Sequence, residues 1–524
     1  MAHVLLINAP ARRPQKEPIV VPPLGLAYLA SAAREAGHDV AILDAFAEGL
    51  SWEEFERRVS ARRYMGSTAG GGCATRRGGR STPTAGGGCA TRREGRSTPT
   101  AGGGCATRRG GRSMGSTGGG GGATVLDVIG FSGMTPVIDA VERAIRVCRP
   151  YARAIVLGGP HATACRETVL EENPDLDYAF CGEGEAAFVE FLAAFDADRI
   201  TSEIPGIVTR EGSGPPRERC RDLDSIPFPA RDLLPNARYR YPLCGKARMT
   251  SMITSRGCPY RCVFCDKSVF GSRWQARSAE NVLAEVDEVV AKYGVEAIVF
   301  YDDLFTLKRA RLAAICEGLI ERDRKIAWKA EGRVDIVDRE ILALMRRAGC
   351  DAIAYGVESA NPAGLDFIGK NTTPEQAREA FRLTREAGIR TMGYFILGIP
   401  TETYDDALRT IRFAIELRAD YAQFSVLSPL AGSELHRLAK EKGWYAEIAA
   451  HNVSDKDRLR PVVLSENWDE EKLKAIVREA HRAFYMRPSY MLKTLLRARS
   501  PGDVARMAGL GWNVARYLFR ARRG

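Results

Sequence analysis

No stretch of this 524-residue chain approaches the roughly 18 apolar residues that a membrane-spanning helix needs. Nor does a basic region precede the first apolar run, Val4–Ile7, which is four residues long and gives way to Asn8 and Pro10. That opening reads as a first strand and not as a signal peptide, so the expected location is cytoplasmic. In that compartment the 13 cysteines are expected as thiols or metal ligands rather than disulfides. No GxGxxG follows the first strand, which weakens any nicotinamide-cofactor reading. An overall basic surface is missing too, although the formal net charge is +11. Residues 65–122 and 487–524 each contribute +8, so the rest of the chain carries −5. A nucleic-acid partner is therefore not expected.

What is present is the composition of a globular protein, 45% hydrophobic and 27% charged, with length for two or three domains. Residues 69–113 are a tandem repeat with a period of 16, beginning AGGGCATRRGGRSTPT, inside an insert at 65–122. The unit has no hydrophobic face to stack, so a solenoid is not expected; disorder is. Metal binding by Cys73, Cys89 and Cys105, or RNA binding by the Arg-Gly pattern, are weaker readings than a tolerated insertion.

Around the insert, residues 1–200 alternate short apolar strands with helices. Strands are expected at Val4–Ile7, Val40–Leu43, Val125–Phe131, Ala154–Leu157 and Tyr178–Cys181. This is the pattern of a doubly wound, Rossmann-like parallel sheet covered on both faces. The turns at Gly158-Gly159-Pro160-His161 and Gly182-Glu183-Gly184-Glu185 fall at strand C-terminal ends, where such folds bind ligands. Residues 201–247 read as a linker. A second alternating series spans 248–430, with strands at Met252–Thr254, Ala297–Tyr301, Ile326–Ala330, Ala352–Val357, Thr391–Leu397 and Ala422–Leu427. Six β/α units make a partial (β/α)6 TIM barrel, short of eight. Helix stops are expected at Gly37, Gly294, Gly349 and Gly388. Residues 431–524 read as a helical C-terminal region.

The loop after the first barrel strand holds Arg256-Gly257-Cys258-Pro-Tyr-Arg-Cys262-Val-Phe264-Cys265. Three thiolates at C-x3-C-x2-C can hold a cubic iron–sulfur cluster and leave its fourth iron without a protein ligand. Zinc usually takes four ligands, and no later Cys or His lies within reach to complete a zinc pattern with Cys244. With Phe264 at the aromatic position, the stretch resembles the CxxxCxΦC signature of the radical S-adenosylmethionine (SAM) superfamily. The resemblance implies a 4Fe–4S cluster on Cys258, Cys262 and Cys265, SAM chelated to the open iron, and a 5′-deoxyadenosyl radical. It also implies SAM contacts at successive strand ends. Asp302 or Asp303 would meet the amino group, Arg333 the carboxylate and Glu358 a ribose hydroxyl, while Gly398 to Glu402 would lie under the adenine.

The segments Val21–Ala30, Gly130–Thr135, Gly158–Thr163 and Gly182–Glu185 resemble, in that order, the cobalamin-binding domain of cobalamin-dependent radical SAM proteins. The implied contacts are Ser132, Thr135, Gly158, Gly159, His161, Gly182 and Glu183. There is no DxHxxG, so no axial histidine is identifiable; His161 reads as a loop histidine more readily than as a cobalt ligand. The class so resembled methylates unreactive centres by way of methylcobalamin. An anaerobic oxidative cyclase of the Mg-protoporphyrin monomethyl ester type is the alternative, and a cobalamin or redox sensor a weaker one. The expected partners are a small-molecule or lipid substrate and an electron donor such as flavodoxin or ferredoxin. Trp512, Tyr517, Leu518 and Phe519 lie among arginines, so the C-terminus would either pack on the barrel or touch an anionic membrane surface.

Overall fold

The computed structural model describes residues 1–11, 19–61, 126–244, 247–323, 325–449 and 459–496. The described residues all belong to one compact unit. The repeat and the aromatic residues after 511 lie outside the described residues.

The first sheet is built from β1 (His3–Asn8), β2 (Asp39–Asp44), β3 (Leu126–Ser132), β4 (Ala152–Gly158), β5 (Tyr178–Phe180), β6 (Ile207–Thr209) and β7 (Gly212–Ser213). Its order is β2-β1-β3-β4-β5-β6-β7, parallel through β5 and antiparallel from there on. The order reverses between β1 and β3, so the ligand-binding crevice belongs at the C-terminal ends of those strands. The expected linker is more than a linker: residues 207–213 complete this sheet, and Tyr239 donates a 2.8 Å hydrogen bond to Asp44 at the end of β2.

The second sheet contains β8 (Met249–Met252), β11 (Ala297–Phe300), β12 (Ala327–Gly332), β13 (Cys350–Glu358), β14 (Arg390–Leu397) and β15 (Tyr421–Val426). All five neighbouring pairs are parallel. A short antiparallel pair, β9 (Ser255–Arg256) with β10 (Gln275–Ala276), lies between β8 and β11 in the chain. The first strand here was expected at Met252–Thr254 but lies three residues earlier; past it the chain turns so that Thr254 and Ser255 bond to Asp302. Helix ends follow the chemistry of their residues. Ser278 caps Ala279–Tyr293, Gly294 ends it at φ +60°, and Thr373 with Gln376 forms a capping box on Pro374–Glu386. Gly37, Gly349 and Gly388, at φ +87°, +95° and +75°, stop helices as expected. The region after 430 is not purely helical: β16 (Tyr445–Ala449) and β17 (Leu459–Val463) pair antiparallel. The short alternation in Tyr-Ala-Glu-Ile-Ala is a strand period that a helical reading passes over.

One apolar core lies between the second sheet and its outer helices, around Trp328, Phe300 and Phe381. Another joins the helices of the first sheet to Met249, Ala297, Val299 and Ala352 of the second. No helix among the described residues is long and apolar enough to cross a membrane.

Candidate functional site

At the C-terminal edge of the first sheet the side chains shrink to almost nothing. Gly158 ends β4, and Gly159 follows at φ +95°, a conformation that favours glycine. A Cβ there would come within 2.8 Å of Ser132 Oγ and 3.0 Å of the Gly133 carbonyl. Gly182 after β5 has φ +83° and open space where a Cβ would stand. Its N–H donates to Thr163 Oγ1 at 3.1 Å, which fixes the turn. These glycines, with Ser132 and Gly25, line a cavity of about 310 Å³ walled by Tyr28, Phe180, Phe188 and Phe270. Two other expected contacts stand back from it. His161 Nδ1 lies 3.2 Å from Thr135 Oγ1, and neither residue lines the cavity. The buried His161 is held below the usual histidine pKa by desolvation.

The cysteine loop forms the opposite wall: Cys258, Cys265 and Asp303 line the same cavity. The end of β11 shapes this loop. Asp302 is buried and accepts from Thr254 N at 2.6 Å, Thr254 Oγ1 at 2.6 Å and Ser255 Oγ at 2.9 Å. Asp303 accepts from Gly257 N at 3.0 Å. Gly257 sits at φ +81°, and a Cβ there would be 2.4 Å from the Arg273 carbonyl, so only glycine fits. Burial raises the pKa of both aspartates, against the hydrogen bonds they accept. The loop is also pinned from below, Val263 N bonding to Ile368 O at 3.0 Å while Leu435 N bonds to Val263 O at 2.8 Å. Phe264 packs into a separate apolar cluster with Ile368 and Ile396. Desolvation within the loop, Asp303 and the neighbouring thiols raise the pKa of the Cys265 thiol, although the residue itself is exposed. Cys262 is raised by burial, while Lys370 and Arg333 oppose the shift. Cations beside thiols favour the thiolate form that binds metal. Among the described residues, no group of three or more His, Cys, Asp or Glu is gathered around a single-ion position.

The remaining expected contacts sit at the later strand ends. Arg333 lies 3.5 Å from the ring centre of Tyr260, inside the cysteine loop, and pairs with Asp335 at 2.9 Å. Its Nη2 also donates to the Lys370 carbonyl at 3.0 Å. Glu358 holds φ +67°, unusual for a side-chain-bearing residue, and accepts from Lys370 Nζ at 2.8 Å. Glu402 is buried among Ser359 and Asn361, with Oε2 lacking a hydrogen-bond partner. Gly398 is at φ +83°, and a Cβ there would lie 2.5 Å from Leu473 Cδ2. The site thus brings Cys258, Cys265 and Asp303 together with the glycine edge, and leaves Asp302 as an internal brace. Glu183 also lines the cavity, with its Oε2 taken by Cys220 N at 2.7 Å. Sequence reasoning missed Arg256, Glu185, Tyr28 and Lys370. Arg256, Glu185 and Tyr28 lay inside segments already singled out; nothing in the sequence marked Lys370.

Comparison with known proteins decides the family. The radical SAM superfamily profile matches residues 252–414, and a B12-binding-domain profile matches residues 123–192. An uncharacterised methyltransferase of Pyrococcus horikoshii is 30% identical over 481 residues, covering 90% of each chain. This chain belongs to the radical SAM superfamily. It is also 29% identical over 377 residues to an anaerobic magnesium-protoporphyrin IX monomethyl ester cyclase of Rubrivivax gelatinosus, covering 70% of this radical SAM chain and 67% of the cyclase. Its fold is that of the radical SAM methyltransferase TsrM from Kitasatospora setae, solved with cobalamin and a [4Fe-4S] cluster. The two superpose with a TM-score of 0.66 at 17% identity over 93% of this chain and 90% of TsrM. The resemblance read from the cysteine loop and the N-terminal segments therefore holds.

Proposed function

We propose that this chain is a cobalamin-dependent radical SAM methyltransferase. One observation carries the reading: Cys258 and Cys265 line the same cavity as Gly158, Gly159 and Gly182. We read residues 1–200 as the cobalamin domain and 248–430 as a partial (β/α)6 barrel. Bound there, the 4Fe–4S cluster, SAM and cobalamin would supply the radical and the methyl group. The chain's own residues position them and keep water out.

The residues fit those groups by their chemistry. Three thiols and no fourth ligand in the loop suit a cluster with one open iron. A concave wall of glycines lets a large flat ligand approach backbone, and the aromatic rings opposite offer it apolar surface. Asp303 faces the cavity and is the acceptor for the SAM ammonium; Asp302, fully bonded and buried, is not. Arg333 and Glu358 keep their assigned roles toward the carboxylate and ribose, with Lys370 adding a second cation beside Glu358. Gly398, Glu402 and Phe264 form the floor of the SAM site. The cluster requires a one-electron donor, for which a flavodoxin or ferredoxin is suited, and the substrate is a small molecule or lipid.

The similarity to the cyclase keeps an oxidative reaction as a second reading. The products of SAM separate the two. Reconstituted protein with reductant, cobalamin and a cell-extract substrate pool is expected to give comparable 5′-deoxyadenosine and S-adenosylhomocysteine. Both should depend on cobalamin. Deoxyadenosine without cobalamin-dependent S-adenosylhomocysteine would establish the oxidative reading.

A further inference from the structure

The cavity wall between the glycine edge and the cysteine loop is formed by one arginine and two glutamates. Arg256 sits on β9, two residues before Cys258, and is 6% exposed. Its Nη2 donates to Glu185 Oε1 at 2.5 Å. Its Nη1 lies 3.4 Å from Glu183 Oε1, an ion-pair distance at which neither atom makes a hydrogen bond. Both glutamates belong to the Gly182–Glu185 turn of the first sheet, and all three residues line the cavity. The guanidinium is further held between the rings of Phe270 and Tyr28, at 5.2 Å and 5.8 Å. Arg219 braces the same corner, reaching Glu183 at 3.6 Å and the Arg256 carbonyl at 3.4 Å.

A buried donor and a buried acceptor left without hydrogen bonds carry a desolvation cost, here offset only by ion pairing at long range. Such a cost is tolerated where a ligand repays it. A corrin macrocycle carries a rim of side-chain amides, whose carbonyls accept from N–H groups and whose amide nitrogens donate to carboxylates. We propose that Arg256 and Glu183 hydrogen-bond such an amide, so that cobalamin binding and cluster binding are coupled through Arg256. This rests on the cobalamin reading above. The side chain of Arg256 reports on the ligand, while its backbone, clamped by β10 and Arg219, sets the start of the cysteine loop. Arg256 is a positioning residue: it touches neither the cluster nor the reacting atoms. Coupling between two ligands is reciprocal, so each ligand should tighten the other by the same factor.

Hydroxocobalamin is titrated into the full chain with and without its reconstituted cluster, and the ratio of the two dissociation constants is read. Wild type is expected to bind about tenfold or more tightly when the cluster is present, within the usual range of coupling between sites. Arg256→Met is expected to bring the ratio close to one. Arg256→Lys, which keeps the charge but not the two-pronged donor, should lie between them. Circular dichroism verifies that each variant is folded. A wild-type ratio of one overturns the coupling whatever the variants do, and so does a wild-type ratio retained in Arg256→Met. In both cases the methyltransferase reading stands. Failure of wild type to bind cobalamin in either state would overturn the coupling and the cobalamin reading together.

Discussion

The C-terminal edge of the first sheet is made from residues with little or no side chain, whereas the corresponding edge of the second sheet is made from charge. Gly158, Gly159 and Gly182 supply backbone shape and open space. Asp302, Asp303, Arg333, Glu358 and Glu402 supply fixed charges, four of the five already bonded to other side chains. Residues of a glycine edge act one at a time, each clearing space for a ligand, and their close contacts stay among the turns at that edge. Residues of a charged edge act through one another, because every buried carboxylate depends on donors that themselves hold a loop. Damage to the first edge should therefore remove a ligand and spare the fold. Damage to the second should remove both.

The largest expected effect is at the brace. Asp302→Ala leaves the Thr254 N–H and two hydroxyls buried without an acceptor, a loss of about 3–5 kcal/mol for a carboxylate accepting several hydrogen bonds. Denaturant unfolding should show that loss, and iron analysis should show that the cluster no longer assembles. At the other edge, Gly159→Val places a branched side chain at φ +95°, where backbone strain costs about 1–3 kcal/mol. Cobalamin affinity should fall more than about tenfold while roughly four irons per chain still reconstitute, as for a Cys₃-ligated cluster. Loss of iron in that variant would show that the edges are not separable.

A smaller effect concerns pH. Burial lowers the folded-state pKa of His161, so the unfolded chain binds more protons between that value and about 6.5. Its contribution to stability is present above about pH 6.5 and is lost as pH falls toward the folded value. His161→Gln should flatten the stability curve in that acid window and leave it unchanged above pH 7. The smallest effect belongs to the outer surface. Arg382 pairs with Glu379 and Glu386 in full solvent, and Arg382→Ala should leave Tm and both ligands unchanged.

The two edges also differed in how far the sequence disclosed them. The glycine edge was nearly complete in the sequence, because a glycine pair after a short apolar run has few other uses. The cysteine loop was equally plain, since its spacing carries its own geometry. The charged edge was legible as a set of strand-end residues but not in the division of labour among them. Asp302 and Asp303 are adjacent in sequence and identical in type. Only the turn of Thr254 and Ser255 toward one of them makes it internal and leaves the other facing the cavity. Lys370 was invisible because it reaches Glu358 from the loop after a short helix, 12 residues away along the chain. Arg256 lay in the quoted motif, yet its partners come from a turn 71 residues earlier, and no local pattern encodes that pairing. The strands at 207–213 and 445–463 were missed for a related reason: each is short, and its pairing partner decides its state.

The shared cavity is tested most directly by electron paramagnetic resonance of the protein loaded with both cofactors. Cob(II)alamin and the reduced cluster each carry an unpaired spin, and two spins lining one cavity of about 310 Å³ must interact. The cob(II)alamin signal should broaden or split when the cluster is reduced, and return to its isolated form when Cys258, Cys262 and Cys265 are all changed to Ala. A cob(II)alamin signal indifferent to the reduced cluster in wild-type protein would contradict the placement of both cofactors on the two walls of this site.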